Sequence, residues 1–224
     1  MSAVPPARAA AVWAHARRVR GFLSEEEGAV LSSLSKEAAC TRRGPIVEIG
    51  SYQGRSTLFL AAGVLAAREA GASKTLVLAV DHHRGSEEMQ AGWEHHDPAL
   101  VDPATGRMDS LPLFRANCAA AGVEDVVVAL VGDSAALAAY IADPLGLVFI
   151  DGGHGAAVTW ADYRSWGPKL ACGGLLAFHD VYPDPADGGR PPYECYRDAL
   201  ASGHFVEREA QRTGSLRVLE RTVA

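Results

Sequence analysis

The sequence predicts an α/β protein built on a doubly wound, mostly parallel sheet, and three observations carry that expectation. Short continuous apolar runs recur along the chain, at Ile46 to Ile49, Lys74 to Asp81, Asp125 to Val131, Leu145 to Ile150 and Leu175 to Phe178. Runs of this length without polar alternation suit strands buried on both faces. Helical segments separate them, and strand, helix, strand in succession implies right-handed crossovers and parallel pairing. The third observation is the stretch Ile46 to Thr57, which follows the Gly44-Pro45 breaker and reads as strand, tight turn and helix N-terminus.

The elements follow in order. Residues Pro5 to Arg20 are rich in Ala and Arg, with Val12, Trp13 and Ala16 at helical spacing, which predicts an amphipathic helix. A second helix starts at Ser24-Glu25-Glu26-Glu27, a capping-box pattern, and runs to about Ala39. Together they form an N-terminal helical appendage, residues 1–40, on a main domain of residues 41–224. They cover a sheet edge, close over a ligand or build a homodimer contact.

At the first strand's end, Gly50 and Gly54 let the backbone bend and let a ligand approach the next helix closely. The dinucleotide fingerprint requires a glycine where Tyr52 stands, so a pyrophosphate cradle is disfavoured. Glu48, in the strand end, suits a ligand with a positive group. Asp81 ends the second strand beside the glycine turn, where a carboxylate can accept both hydroxyls of a ribose; the alternative is a surface acid that merely ends a strand.

From His82 to Met108 apolar periodicity stops, and a stretch of that length in a compact domain reads as a specificity loop or lid. Trp93 and the pairs His82-His83 and His95-His96 are available there for stacking and hydrogen bonding. Adjacent histidines point different ways, which disfavours a metal site built from these four. Leu111 to Ala121 forms a helix ended by Gly122. After the third strand, Asp133 is placed to cap a helix from Ser134 to Ile141.

The fourth strand ends in Asp151 and the turn Gly152-Gly153-His154-Gly155. His154 in its neutral form near pH 7 can accept a hydroxyl proton, and its glycine neighbours leave the ring reachable; the alternative is a histidine with a structural bond only. A helix from Ala157 to Leu170 leads through Cys172-Gly173-Gly174 to the fifth strand, which ends in His179-Asp180. A turn-rich loop from Tyr182 to Pro192, a helix from Tyr193 to Ser202, and two strands, His204 to Ala210 and Ser215 to Leu219, complete the chain.

The order of these motifs resembles the class I S-adenosylmethionine-dependent methyltransferases. Their first motif, Glu-x-Gly-x-x-x-Gly-x-Ser/Thr, is matched by Glu48, Gly50, Gly54 and Ser56 or Thr57. The segments Phe149-Ile-Asp-Gly-Gly-His154 and Gly173-Gly-Leu-Leu-Ala-Phe-His-Asp-Val181 resemble the group that holds catechol O-methyltransferase-like and macrolide-sugar O-methyltransferases. The likeness covers roughly Ile46 to Val181.

It implies a seven-stranded sheet with an antiparallel last pair, and S-adenosylmethionine as cofactor. The cofactor-binding set it implies is Glu48, Gly50, Ser51, Tyr52, Gly54, Ser56, Asp81, His82, Asp133, Ser134 and Asp151. His154 and Asp151 carry the chemistry, O-methylation of a small-molecule hydroxyl on a sugar or natural product. In metal-dependent members, acids after the fourth and fifth strands hold magnesium; the corresponding positions are Asp151, His179 and Asp180. His179 departs from the usual oxygen ligand and favours a transition metal over magnesium. A nucleotide-binding oxidoreductase and a non-catalytic cofactor-binding subunit are the alternatives.

Composition agrees with a cytoplasmic enzyme of small molecules. The 224 residues are 48% hydrophobic and 21% charged, with a formal charge of −6. That balance lacks the basic field that nucleic acid or an anionic membrane requires. Four scattered cysteines form no C-x-x-C pair and fit a reducing compartment. The longest apolar run, Leu58 to Ala67, is half of the roughly 20 residues that span a bilayer.

Overall fold

The computed structural model describes residues 7–72, 74–142 and 144–223. The main sheet has seven strands: β1 Ile46–Ile49, β2 Val77–Asp81, β5 Val127–Val131, β6 Leu145–Ile150, β7 Leu170–Phe178, β8 Phe205–Glu207 and β9 Arg217–Arg221. Their spatial order is β5-β2-β1-β6-β7-β9-β8. The pairs β5/β2, β2/β1, β1/β6 and β6/β7 are parallel, and β9 runs antiparallel to both its neighbours. The sequence of strands reverses between β1 and β6, and in open α/β sheets a ligand crevice forms at such a switch point, outside the strands' carboxyl ends.

Helices cover both faces. On one, α1 Arg8–Ala16, α2 Glu25–Thr41, α3 Arg55–Glu69 and α4 Leu111–Ala121 share an apolar cluster with β1 and β2. On the other, α6 Ala156–Trp166 and α7 Pro191–Ala201 pack on β6, β7 and β9, and the short helix α5 Ser134–Ala138 packs beside them. Helix α3 is buried almost all round, with Leu58, Phe59, Leu60 and Val64 at 0% exposure, because it lies between the sheet and α1/α2.

The N-terminal helices therefore do not cover a sheet edge: the edges are β5 and β8, while α1 and α2 pack on α3. Ser24 and Glu27 form the expected capping box on α2. Helix α1 stops at Ala16, short of the expected Arg20, because the Arg55 guanidinium takes the carbonyls of Ala16, Arg17 and Val19. Pro5 and Pro6 lie outside the described residues.

Other boundaries also move. Strand β7 starts at Leu170 and runs through the Gly173-Gly174 pair, which had read as a turn before the strand. Gly146 of β6 faces the four residues 171–174, and Gly173 (φ +72°) supplies the left-handed residue of this bulge. Pro168 ends α6 early, leaving one 3-10 turn over Gly167–Lys169. Helix α5 tightens after Ala138 through i to i−3 bonds at Tyr140 and Ile141. The long loop after β2 contains two 3-10 turns and a small ribbon of β3 Val101–Asp102 with β4 Arg107–Met108.

The glycine turn is pressed onto the end of β6. Gly50 has φ +87°, and a Cβ there would run into the Asp151 carbonyl, its carbon 2.6 Å away, and the Gly152 Cα at 2.9 Å. Gly50→Ala is expected to cost about 3 kcal/mol, since a left-handed conformation costs an L-residue roughly 1–2 kcal/mol and the two strand ends must also separate. Gly122→Ala, at φ +65° with open space around it, should cost only about 1 kcal/mol. Urea denaturation of both variants measures the contrast; equal losses would mean that the close approach is not what holds the turn.

Candidate active site

The carboxyl ends of β1, β2, β6 and β7 open into a cleft of about 1280 Å³. Its floor comprises the glycine turn with Ser51 and Tyr52, Asp81 and His82, Gly132 to Ser134, Asp151 to Gly155, and His179 with Asp180. Three other segments wall it: Arg20 to Ser24, the loop around Glu88 and Trp93, and Gly188-Gly189 of the tail. Three non-glycine residues at this edge, Tyr52, His83 and Asp180, have φ between 45° and 58°. Such conformations cost energy, and they cluster at functional sites.

Asp81 organises the glycine turn. Its Oδ2 accepts from the backbone amides of Ser51 (3.0 Å) and Tyr52 (2.8 Å), and its Oδ1 from that of His83 (2.7 Å). A carboxylate offers about four lone-pair sites, so acceptor capacity remains on the cleft side. Ser51 also lines the cleft, its hydroxyl buried without a partner. An orphaned hydroxyl in a cleft wall is a fit for a polar ligand, because leaving it unmade costs free energy.

Glu48 departs from the expectation of a cation-facing acid. It is fully buried and is not part of the cleft wall. Thr57 donates to its Oε2, its Oε1 has no partner, and burial pushes its pKa up to about 8. A carboxyl held neutral offers no attraction for a sulfonium or an amino group. The structural reason is depth: β1 lies in the centre of the sheet, and Glu48 faces α3 instead of the opening.

Asp133 caps α5, accepting from the Ala136 amide at 2.8 Å, and still borders the cleft. Ser134 donates to Asp162 of α6, a cleft residue that sequence reasoning did not single out, whose pKa burial raises to about 6. Gly54 and Ser56 belong to the start of α3, Ser56 at the cleft wall.

The four loop histidines serve four different partners. His82 accepts from the Arg84 amide, His83 bonds Ser110, His95 stacks on Phe22 at 4.9 Å and His96 meets the Met89 carbonyl. Phe22 also lies 5.7 Å from the Tyr52 ring, and Arg20 pairs with Asp97. The N-terminal segment and the long loop thus meet over the cleft.

Chemistry concentrates at the ends of β6 and β7. His154 Nε2 lies 2.7 Å from Asp180 Oδ2, and its Nδ1 lies 3.0 Å from Glu88 Oε2 of the loop. The hydrogen bond to Asp180, together with the charge of Glu88, raises the His154 pKa to about 9 against the effect of burial. Both carboxylates thus work against the expected neutral imidazole for as long as they face the ring.

His179 is 5% exposed, with Nδ1 2.9 Å from Asp151 Oδ1 and 3.2 Å from Asp180 Oδ2. Asp151, His179 and Asp180 each offer one ligand atom, all within 4.8 Å of one another, so the expected metal-ligand set is assembled. Both His179 nitrogens are buried with no hydrogen bond of acceptable geometry despite the nearby carboxylates. That arrangement, two carboxylates beside a ring nitrogen that makes no hydrogen bond, fits a divalent cation.

Glu27 went unrecognised as a site residue, because its capping-box role accounts for it locally. Its carboxylate lies 3.3 Å from His179 Nε2 and borders the cleft. Burial alone would raise its pKa, yet the neighbouring His179 ring and the bonds from Ser24 hold it down at about 2.

Known proteins resemble the chain over this same region. The family model described as "Methyltransferase domain" matches residues 47–181. The O-methyltransferase NovP has a TM-score of 0.69 at 18% identity, covering 92% of this chain and 84% of that one. The O-methyltransferase TomG from Streptomyces achromogenes, solved with S-adenosylmethionine, gives 0.60 at 15% identity over 100% and 92%. A Bacillus cereus O-methyltransferase solved with S-adenosylhomocysteine gives 0.59 at 18% identity over 95% and 89%. At these identities the solved structures establish the fold.

Proposed function

The chain belongs to the methyltransferase-domain family, and on that premise we propose that it moves the methyl group of S-adenosylmethionine to a hydroxyl of a small molecule. The observation that carries this reading is a single cleft with an Asp81-stapled glycine turn at one side and the His154–Asp180 pair at the other. When bound, the cofactor supplies an electrophilic methyl on its sulfonium; the protein supplies alignment and a place for the proton.

The residues divide the work along the sheet edge. Asp81's free acceptor capacity and the turn Gly50 to Tyr52 take the ribose end, with His82 alongside, and Gly132 to Ser134 border the base. On this reading the methyl lies toward Asp151, His154 and Asp180. Asp180 at His154 Nε2 orients the ring and stabilises its charged form, the part a carboxylate plays behind a catalytic imidazole. Glu88, now at Nδ1, stands where an acceptor hydroxyl would bond. With that hydroxyl in place of Glu88, Nδ1 faces the proton that must leave. Asp151, His179 and Asp180 would hold a divalent cation, which would lower the pKa of a bound hydroxyl.

The acceptor wall is acidic, with Glu87, Glu88, Glu94 and Asp187 against Arg20. A neutral sugar or natural product hydroxyl, or one carrying a cationic group, suits that field, while an anionic acceptor is repelled. A non-catalytic cofactor-binding subunit is disfavoured because His154 opens onto the same cleft as the glycine turn. The free state of Cys40, Cys118, Cys172 and Cys195 supports a reducing cytoplasmic setting. No helix among the described residues is long and apolar enough to cross a membrane.

The test is incubation with S-adenosylmethionine carrying a ¹³C methyl and a panel of neutral and cationic hydroxyl compounds and amines. The expected product carries the label on oxygen. Label found on nitrogen alone would overturn the hydroxyl assignment.

A further inference from the structure

We propose that Glu27 is a positioning residue that fixes the His179 ring, so that His179 Nδ1, Asp151 and Asp180 form a site for a borderline divalent transition metal in preference to magnesium. This rests on the cation-holding part of the reading above, not on the methyl-transfer part.

Glu27 is held too firmly to be an incidental neighbour. Its Oε1 accepts from the backbone amide (3.0 Å) and the hydroxyl (3.2 Å) of Ser215, and its Oε2 from the amide (3.0 Å) and hydroxyl (2.8 Å) of Ser24. It thereby ties the start of α2 to the turn before β9 and to the end of β7. Gly214 leaves it room: a Cβ there would lie 2.5 Å from Glu27 Oε1. The carboxylate sits beside His179 Nε2 at 3.3 Å, on the opposite side of the ring from Asp151 and Asp180.

A carboxylate behind one imidazole nitrogen favours the tautomer with the proton there and leaves the other nitrogen's lone pair free for a metal. Here that other nitrogen is Nδ1, 2.9 Å from Asp151 Oδ1 and 3.2 Å from Asp180 Oδ2, the spacing of neighbouring ligands on one ion; neither ring nitrogen makes a well-aligned hydrogen bond. One imidazole and two carboxylates are a donor set for manganese, iron, cobalt or zinc. Magnesium prefers oxygen ligands and near-ideal octahedral geometry, which a buried ring nitrogen does not provide.

The experiment uses the full chain stripped with EDTA, without cofactor or acceptor, so its outcome is independent of whether methyl transfer is found. Cobalt(II) is titrated while its visible absorption is followed, and magnesium is added as competitor. The expected result is one cobalt per chain, displaced only by a large excess of magnesium. Glu27→Gln is expected to weaken cobalt binding about 10–100-fold with its circular dichroism unchanged. His179→Asn should reverse the preference toward magnesium.

Because Glu27→Gln also touches the helix cap, a measurement on the unaltered protein stands beside it. With zinc bound to protein labelled with ¹⁵N in histidine, one ring should show Nε2 protonated and Nδ1 ligated. No cobalt uptake, magnesium competing on equal terms, ligation through Nε2, or a folded Glu27→Gln protein with unchanged cobalt affinity would each overturn the proposal.

Discussion

Replacing His154 with Ala is expected to lower kcat by roughly 10²–10⁴, the range for loss of a positioned acid–base group, which corresponds to about 3–5 kcal/mol of transition-state stabilisation. S-adenosylhomocysteine affinity should change by less than about threefold, because the ring lies at the β6 end of the cleft, away from the Asp81 staple. The competing account makes His154 only a clasp that holds Glu88, and through it the loop, against Asp180. On that account Glu88→Ala and His154→Ala lose the same interaction and should show the same modest effect, mostly in KM. Steady-state kinetics of the two variants separates them. If both retain kcat within a few-fold of the unaltered protein, His154 is not the group that receives the proton.

The second large effect is a dependence of stability on pH that Glu48 imposes. Its folded pKa is raised to about 8 from 4.5, so between those values the folded protein binds a proton that the unfolded chain has released. Stability contributed by this group is fully present below pH 4.5 and is lost as pH rises through about 8. Over that window the change is on the order of 4 kcal/mol. Glu48→Gln keeps the shape and carries no charge at any pH. Urea denaturation from pH 5 to pH 9 should therefore show the variant gaining on the unaltered protein by several kcal/mol. A constant difference across that range would mean that Glu48 is charged in the fold and that its surroundings compensate for it.

Much of the sheet was legible because its strands are buried on both faces, which forces continuous apolar runs such as Val77 to Val80 and Leu145 to Ile150. The breakers around them are local too, so Gly122 and the Ser24–Glu27 box marked helix ends correctly. The Gly173-Gly174 pair misled for the same reason. A bulge and a turn demand the same residue, and only the pairing of Gly146 opposite residues 171–174 distinguishes them.

At the site, the acids that end strands could be placed from sequence, because the carboxyl edge of a parallel sheet is where such residues gather. The Asp151, His179 and Asp180 set came from the family resemblance, and the three residues do meet at that edge. What local pattern could not supply was the far partner. Glu27 lies on the first long helix and reaches His179 and Ser215, and Glu88 comes from a loop without periodicity to meet His154. Nor did the sequence show depth: Glu48 stands in a strand end like Asp81, yet it is fully buried while Asp81 borders the cleft.

The central claim is that the cleft beside the Asp81-stapled turn receives a sulfonium nucleoside, and isothermal titration with S-adenosylhomocysteine, with NAD as the comparison ligand, addresses it most directly. The account predicts one S-adenosylhomocysteine per chain, binding weakened at least tenfold by Asp81→Ala, and no heat with NAD. Heat with NAD and none with S-adenosylhomocysteine would contradict it.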